Sequence, residues 1–199
     1  MSSKNVRNIK AIHALASLSE IADGMAWYGI AKCVAIQLAG DHSISANQSI
    51  GVIAALSPRN KWSRNCHDAA SIIAAYKAGG AEQARLTKVC TFGANKDKAI
   101  RILESGYETL PSISDILSGP KLREFASCIA GLDDVCIDGH AFCIWNGGRT
   151  SLKEVPAIGV RLRQQIKADY AQAAADLRIT GYELQAITWV TWRRIHNVG

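Results

Sequence analysis

From Ser45 to Ser57 the chain reads Ser-Ala-Asn-Gln-Ser-Ile-Gly-Val-Ile-Ala-Ala-Leu-Ser. Ser45 predicts a helix N-cap, since a serine hydroxyl there accepts from a backbone N–H of the first turn. Pro58 predicts the stop, because proline pushes the residue before it out of helical geometry. Between them Ile50, Val52, Ile53 and Leu56 leave almost no polar side. A helix that is apolar all round must be covered on every face. The run is therefore expected to be the central buried helix of a multi-helix protein.

The remaining segments carry helical rather than alternating periodicity. A first helix is expected from about Lys4 to Leu18 on the stripe Ile9, Ile12, Leu15 and Ala16. A second is expected from about Ile21 to Leu38 through Met25, Trp27, Ile30 and Val34, closed by a turn at Gly40-Asp41-His42-Ser43. After Pro58 a helix from about Lys61 to Lys77 should end at Gly79-Gly80. Thr91 to Asn95 reads as a loop, with Asn95 as cap of a helix through Ile100 and Leu103. Pro111 opens a short helix to Leu117, and Gly119-Pro120 is a hinge into a helix ending at Ala130. Asp133 and Asp134 read as solvated turn residues. Val135-Cys-Ile then delivers Asp138 to the start of a helix from about Gly139 to Trp145. Helices near Arg161–Leu177 and from Thr180 to near Arg194 complete the chain, the last with the Thr-x-x-Glu spacing of a capping box. With no repeat, low-complexity segment or strand pattern, the expectation is an all-α protein of about ten helices.

At 199 residues, 48% hydrophobic and 20% charged, the chain is long enough for one domain, or for two lobes, with an ordinary core. No apolar run reaches the ~18 residues that would span a bilayer, and no secretory leader pattern opens the chain. A cytoplasmic protein, or one in the host cytoplasm if phage-encoded, is the expectation. The six cysteines form no Cys-x-x-Cys pair, so buried free thiols are expected rather than zinc ligands or disulfides. Net charge is +6, with basic clusters at Arg59, Lys61 and Arg64, at Arg85, Lys88, Lys96, Lys98 and Arg101, and at Arg149, Lys153, Arg161, Arg163 and Lys167. Each cluster suits a polyanion and equally a solvated helix face.

Four segments taken in order resemble the helix-hairpin-helix (HhH-GPD) DNA glycosylase superfamily, in its endonuclease III branch. Val52-Ile-Ala-Ala-Leu-Ser-Pro-Arg59 is similar to that family's central helix and following loop. Phe92-Gly-Ala-Asn-Lys96 through Leu103 matches its pattern of aromatic, turn, lysine and amphipathic helix. Leu117-Ser-Gly-Pro-Lys121 stands where the family has the hairpin Leu-Pro-Gly-Val-Gly. Val135-Cys-Ile-Asp138-Gly-His140 resembles its Val-Asp-Thr-His stretch. The Leu184–Arg194 helix fits in position, and the resemblance covers most of residues 45–195. Several segments also look like small phage-encoded relatives, which implies a bacteriophage origin.

The resemblance implies one HhH-GPD-like domain over residues 1–199, built as two helical lobes around a central buried helix. One lobe covers approximately 45–130; N-terminal helices 4–40 and C-terminal helices 138–195 form the other. It implies a monomer acting on duplex DNA without a membrane partner. Asp138 takes the place of the catalytic aspartate, a carboxylate that stabilises positive charge on the sugar as a base leaves; taken by itself it is equally an N-cap. Lys121 lies near the nucleophilic lysine of the bifunctional members, a place that Arg123 can also fill. Arg59, Asn60 and Trp62 follow the central helix where the family inserts side chains into the duplex. Lys61, Arg64, Lys96, Gly119, Arg193 and Arg194 are further candidate DNA contacts. His140 reads as a packing or supporting residue.

Two departures matter. The hairpin lacks its second glycine, and Pro120 has no N–H for a phosphate. No cysteine follows Cys143, so no iron–sulfur cluster and no other cofactor is expected. Three functions remain open: base excision by a glycosylase with or without a lyase step; a phage transferase that displaces pyrophosphate from an activated 5-hydroxymethyl pyrimidine; and a non-catalytic DNA-binding module.

Overall fold

Ser45 and Thr180 both close capping boxes. The Ser45 hydroxyl accepts from the Gln48 N–H at 3.1 Å while the Gln48 side chain accepts from the Ser45 N–H at 3.0 Å. Thr180 and Glu183 repeat the arrangement, at 3.3 and 2.8 Å. Each box satisfies two N–H groups that a helix start leaves unpaired, and so sets where a major helix begins.

The computed structural model describes residues 3–151 and 154–197; Lys153 of the third basic cluster lies outside them. It is all-α. The helices are α1 (Lys4–Ala14), α2 (Leu18–His42), α3 (Ala46–Leu56), α4 (Trp62–Leu86), α5 (Gly93–Glu104), α6 (Leu110–Leu117), α7 (Pro120–Ala130), α8 (Gly139–Asn146), α9 (Val160–Leu177) and α10 (Gly181–His196). Among the described residues there is no strand. No helix among them is long and apolar enough to cross a membrane. The chain divides into two compact units, one formed by residues 1–30 and 131–199, the other by Ala31–Ala130.

In the second unit α3 has the surroundings its composition demands. Every residue from Gln48 to Leu56 is buried, and α4, α5, α6 and α7 all pack against it. Gly51 permits the closest approach: a Cβ there would stand 2.5 Å from Ile113 Cγ2 and 3.1 Å from Ile102 Cδ1. Ile72, Ile73, Ile100 and Ile129 fill the rest of that core. Two expected boundaries shift: α1 ends at Ala14 rather than near Leu18, which instead opens α2, and α2 itself is longer. α2 runs on through Gly40 and Asp41 to His42, carried by a buried face of Ala31, Ala35 and Ala39 that outweighs the ~1 kcal/mol cost of a helical glycine. Within α4 the first helical stretch does end at Gly79-Gly80, as expected: both residues leave helical geometry, Gly80 with φ +68°, and a second stretch follows to Leu86.

In the first unit α1, α8, α9 and α10 pack on one another around Ile9, Ile137, Phe142, Ile166, Tyr170, Leu184 and Trp192. Asn5 and Asn8 both donate to the Trp145 carbonyl, at 3.1 and 3.0 Å, and Trp145 Nε1 donates to Asp169 at 2.7 Å. Gly24 lets α2 meet the α10 backbone, since a Cβ there would sit 2.5 Å from Ile187 Cα. Asp133 is exposed in a bend, as expected of a solvated turn residue, and Asp134 is half-buried; both also make long-range bonds. Asp133 accepts from the Gly181 N–H at 3.0 Å, and Asp134 pairs with Lys167 at 2.5 Å. The thiols also divide: Cys128, Cys136 and Cys143 are buried, whereas Cys33 and Cys90 are exposed.

Arg194 ties the end of α10 to the start of α2. Its Nε and Nη2 donate to Glu20 at 2.7 and 3.1 Å, and Nη2 also reaches the Leu15 carbonyl at 2.8 Å. The Arg194 guanidinium, with help from Ser17, pulls the Glu20 carboxyl from its ordinary value of 4.5 down to about 2, against the opposing effect of burial. A carboxyl lowered on folding stabilises fully above its unfolded value and loses that contribution as it protonates in the folded state. Urea denaturation of the wild-type protein should therefore show stability falling between about pH 4.5 and pH 2. The Glu20→Gln variant should be less stable at neutral pH and show a shallower acid limb.

Candidate functional site

Asp138 is placed by buried chain on both sides. Val135, Cys136 and Ile137 before it and Ala141, Phe142 and Cys143 after it belong to the core. The backbone at Asp138 is extended, with φ −106° and ψ −173°, and the side chain caps α8 as its sequence position predicts: Oδ1 accepts from the Ala141 N–H at 2.8 Å. Among the described residues no hydrogen bond is made to Oδ2. The residue is half-buried. A helix start favours a negative side chain through its unpaired N–H groups and the helix dipole, and Oδ1 takes that place here.

One basic side chain bonds the residue before this acid. Arg163 Nη1 donates to the Ile137 carbonyl at 3.2 Å. His140 lies in the first turn of α8, and His196, at the end of α10, stacks on Trp192 with ring centroids 4.0 Å apart. Burial, followed by the charges of Arg149 and His140, pushes the His196 imidazole below its ordinary value. Arg193 places its guanidinium over the Trp189 ring at 4.4 Å, while Arg194, its side chain 54% exposed, also bonds Glu20 and the Leu15 carbonyl.

The second unit carries the hairpin. α6 and α7 are joined by only Ser118 and Gly119, with Ser118 in left-handed geometry at φ +54°. Ile113 and Leu117 on one helix, and Leu122 and Ala126 on the other, are buried. The turn uses its own donors: Ser118 N–H goes to the Ser114 carbonyl at 3.4 Å and Gly119 N–H to the Leu117 carbonyl at 2.7 Å. Pro120 has none. Arg123 is anchored across the hairpin, Nε donating to the Ser114 carbonyl at 2.8 Å, and Lys121 is exposed one residue into α7.

The same unit gathers the residues after α3. Asp68, fully buried, accepts from Arg64 Nε at 2.7 Å, the Cys90 N–H at 2.8 Å and Asn60 Nδ2 at 3.1 Å. Burial is the largest single influence on its carboxyl and opposes ionisation, but the Cys90 N–H, Arg64 and Asn60 together outweigh it and hold the group below its ordinary value. These bonds clamp the 57–60 loop to the 90–92 loop, and Thr91 Oγ1 adds a bond to the Pro58 carbonyl at 3.2 Å. Arg59 is thereby held in left-handed geometry, φ +56°, with its guanidinium 5.1 Å over the Phe92 ring.

The expected DNA contacts of this region accordingly separate. Arg59 and Lys61 are exposed and Trp62 is half-buried, whereas Asn60 and Arg64 are occupied by Asp68. The Lys96 ammonium donates to the Arg85 carbonyl and closes the end of α4. Two residues central to this surface escaped the sequence. Phe92, 50% exposed, is the N-cap of α5 in place of the expected Asn95, which is buried inside the helix. An aromatic beside Gly93 in a loop was the available signal. Asp68 was a lone acid four residues after Arg64, a weak sign of an ion pair.

Among the described residues no group of three or more His, Cys, Asp or Glu is placed to hold a metal ion. What the geometry defines is an all-α protein with a half-buried carboxylate at a helix start in one unit. The other unit holds a two-residue helical hairpin and a clamped loop pair displaying an arginine on an exposed phenylalanine. The chain belongs to a family of unknown function, DUF7178, whose model matches residues 1–196. No curated protein and no solved structure matches it.

The clamp is testable. Asp68→Asn removes the charged acceptor from a buried site, and a hydrogen bond to a charged group contributes about 1.5–3 kcal/mol. The variant should lose stability on that order in urea denaturation, and amide hydrogen exchange should show the Cys90 N–H losing protection before the α3 core does.

Proposed function

We propose that this chain is a DNA-base enzyme of the glycosylase kind, cleaving the N-glycosidic bond of a flipped, modified or damaged base. The observation that carries the reading is the carboxylate of Asp138, fixed by its Oδ1 at the start of α8. As the bond from the base to sugar C1′ breaks, the electron pair leaves with the base and positive charge develops on the sugar. A fixed, ionised carboxylate lowers the energy of that state. Water then attacks C1′, its proton leaves to solvent, and the base departs free.

Further support comes from the second unit. Arg59 over Phe92 offers a flat, partly exposed cation–aromatic pair of the sort that stacks on unpaired bases. Helices joined as α6 and α7 are joined fit the hairpin of the superfamily that the sequence resembles. A lyase step would place Lys121 as an amine attacking C1′ and displacing the base, with the imine that follows trapped by borohydride.

The test incubates the protein with duplexes carrying uracil, oxidised, alkylated or 5-(phosphorylated hydroxymethyl) pyrimidines and reads products by mass spectrometry. Free base should appear with one of them, and Asp138→Asn, which retains an N-cap, should release it roughly 10²–10³-fold more slowly. A mass gain with the base retained would replace this reading with a transferase. Salt-sensitive binding with no product would replace it with a binding module. In the lyase test, wild type should form a borohydride-stable cross-link to DNA that Lys121→Ala does not; equal cross-linking by both removes Lys121 from the nucleophile's role.

A further inference from the structure

The outer side of α2 is apolar where a helix facing water is ordinarily polar. Gly24, Tyr28, Ala31, Ala35 and Ala39 are buried on its inner side. Opposite such a stripe a surface helix presents charged and polar residues. Here Leu18, Ala22, Met25 and Gly29 are turned outward, followed by Cys33, Ile36 and Gly40, and every one of them is exposed. None carries a charge. Leu18, Met25 and Ile36 are 87, 45 and 50% exposed. A Cβ added at Gly29 or Gly40 would meet nothing within 4 Å. The exposed polar residues of α2, Ser19, Asp23, Lys32, Gln37 and Asp41, stand to either side of this strip.

The order of residues along the strip is self-complementary. Their spacing is 4-3-4-4-3-4, from Leu18 to Gly40, which stays close to the helical period and runs straight along the helix. That spacing is symmetric about Gly29. Two copies of α2 laid antiparallel about a two-fold axis at Gly29 set Leu18 on Gly40, Ala22 on Ile36 and Met25 on Cys33, each contact being made twice. Large side chains thus face small ones, as interdigitating helices require, and glycine meets glycine where the backbones come closest. A parallel pair would set Leu18 on Leu18 and Gly40 on Gly40, a clash at one end and a void at the other.

We propose that α2 is a dimerisation surface, its occupant a second copy of this chain related by a two-fold axis at Gly29. In such a closed dimer one patch serves both subunits. The strip on each copy is about 33 Å long and ~10 Å wide. With Ala26 and Ile30 on its flank, both exposed, two copies bury on the order of 1,000 Å², the lower bound of a specific interface. The pair is therefore reversible, with micromolar affinity. A polyanion is a poor occupant, because the strip holds no cation and Lys32 at its edge donates to the Ala130 carbonyl at 2.8 Å. The strip lies on one unbroken helix, and the pairing is independent of the glycosylase reading. It replaces the monomer that the resemblance implies.

Sedimentation equilibrium tests the pairing between about 1 and 500 µM, a range that spans micromolar dissociation. The mass should rise from 21.4 kDa toward twice that value. In Gly29→Glu the new residue is a better helix former than glycine and enters open space in the single chain, yet the dimer would set two carboxylates together on its axis. The variant should match or exceed the wild-type thermal midpoint, while its dimer dissociation constant rises about tenfold or more. Oxidation with oxidised glutathione reads the orientation. The two copies of Cys33 stand about 12 Å apart along an antiparallel pair, too far for a disulfide, so wild type should form none between them. Met25→Cys should instead give a covalent dimer, its new thiol joined to the partner's Cys33 in peptide mass spectra. A single-chain mass at every concentration overturns the proposal, whether or not that monomer then partitions onto phospholipid vesicles. A dimer that Gly29→Glu leaves intact overturns it too, as does a Cys33-to-Cys33 cross-link in wild type, which belongs to a parallel pair. Should Gly29→Glu unfold, the Met25→Cys cross-link decides, and its absence overturns the proposal.

Discussion

The burial of α3 on every side is the constraint from which the rest of its unit follows. A helix with no polar face must be enclosed, and enclosing it takes four others, which occupy α4 to α7 in chain order. Enclosure in turn fixes where the chain can come to the surface. The polypeptide leaves the core at Ser57 and must turn sharply at Pro58 and Arg59 to start α4. The loop before α5 is brought beside it by Asp68. Loops carry function when a rigid body positions them, and here the body is a nonpolar helix.

Acids act as latches in this basic chain. Asp68 closes one loop pair, Glu20 joins the start of α2 to α10, Asp134 holds Lys167, and Asp176 holds Lys10 at 2.9 Å. Two of the four take up cations of the positive clusters, Arg64 and Lys167. The formal charge of +6 therefore overstates how many lysines and arginines are spare. Exposed pairs such as Lys10 with Asp176 contribute little stability, but a buried acid such as Asp68 also holds two loops together. Arg59 and Lys61 are exposed; Arg64 is exposed too, with its Nε given to Asp68.

Much of the fold was legible because it depended on local chemistry. The caps at Ser45, Asp138 and Thr180, the stop near Pro58, the short helix after Thr109 and the wholly apolar α3 follow from side chains within four residues of the feature. The misread points share a different origin. α2 continues through Gly40 because its alanine face is buried, and Asn95 lies inside α5 because the loop before it is held elsewhere. The long-range bonds of Asp133 and Asp134 likewise reach partners 48 and 33 residues away. The candidate site divides in the same way. Asp138 was visible as a cap, but the Asp68 clamp and Phe92 under Arg59 depend on contacts between distant segments.

The turn at Ser118-Gly119-Pro120 has a consequence for how such a surface would meet a polyanion. With two N–H groups turned inward and the third missing, the peptide backbone offers no cradle for a phosphate. Attraction has to come from mobile charged side chains, which hold no fixed geometry. An interaction of that sort is governed by the release of condensed counter-ions and weakens steeply as ionic strength rises. A glycine-built cradle keeps its directed hydrogen bonds in salt. The proline thus removes from this turn the directed backbone donor that a glycine would have kept.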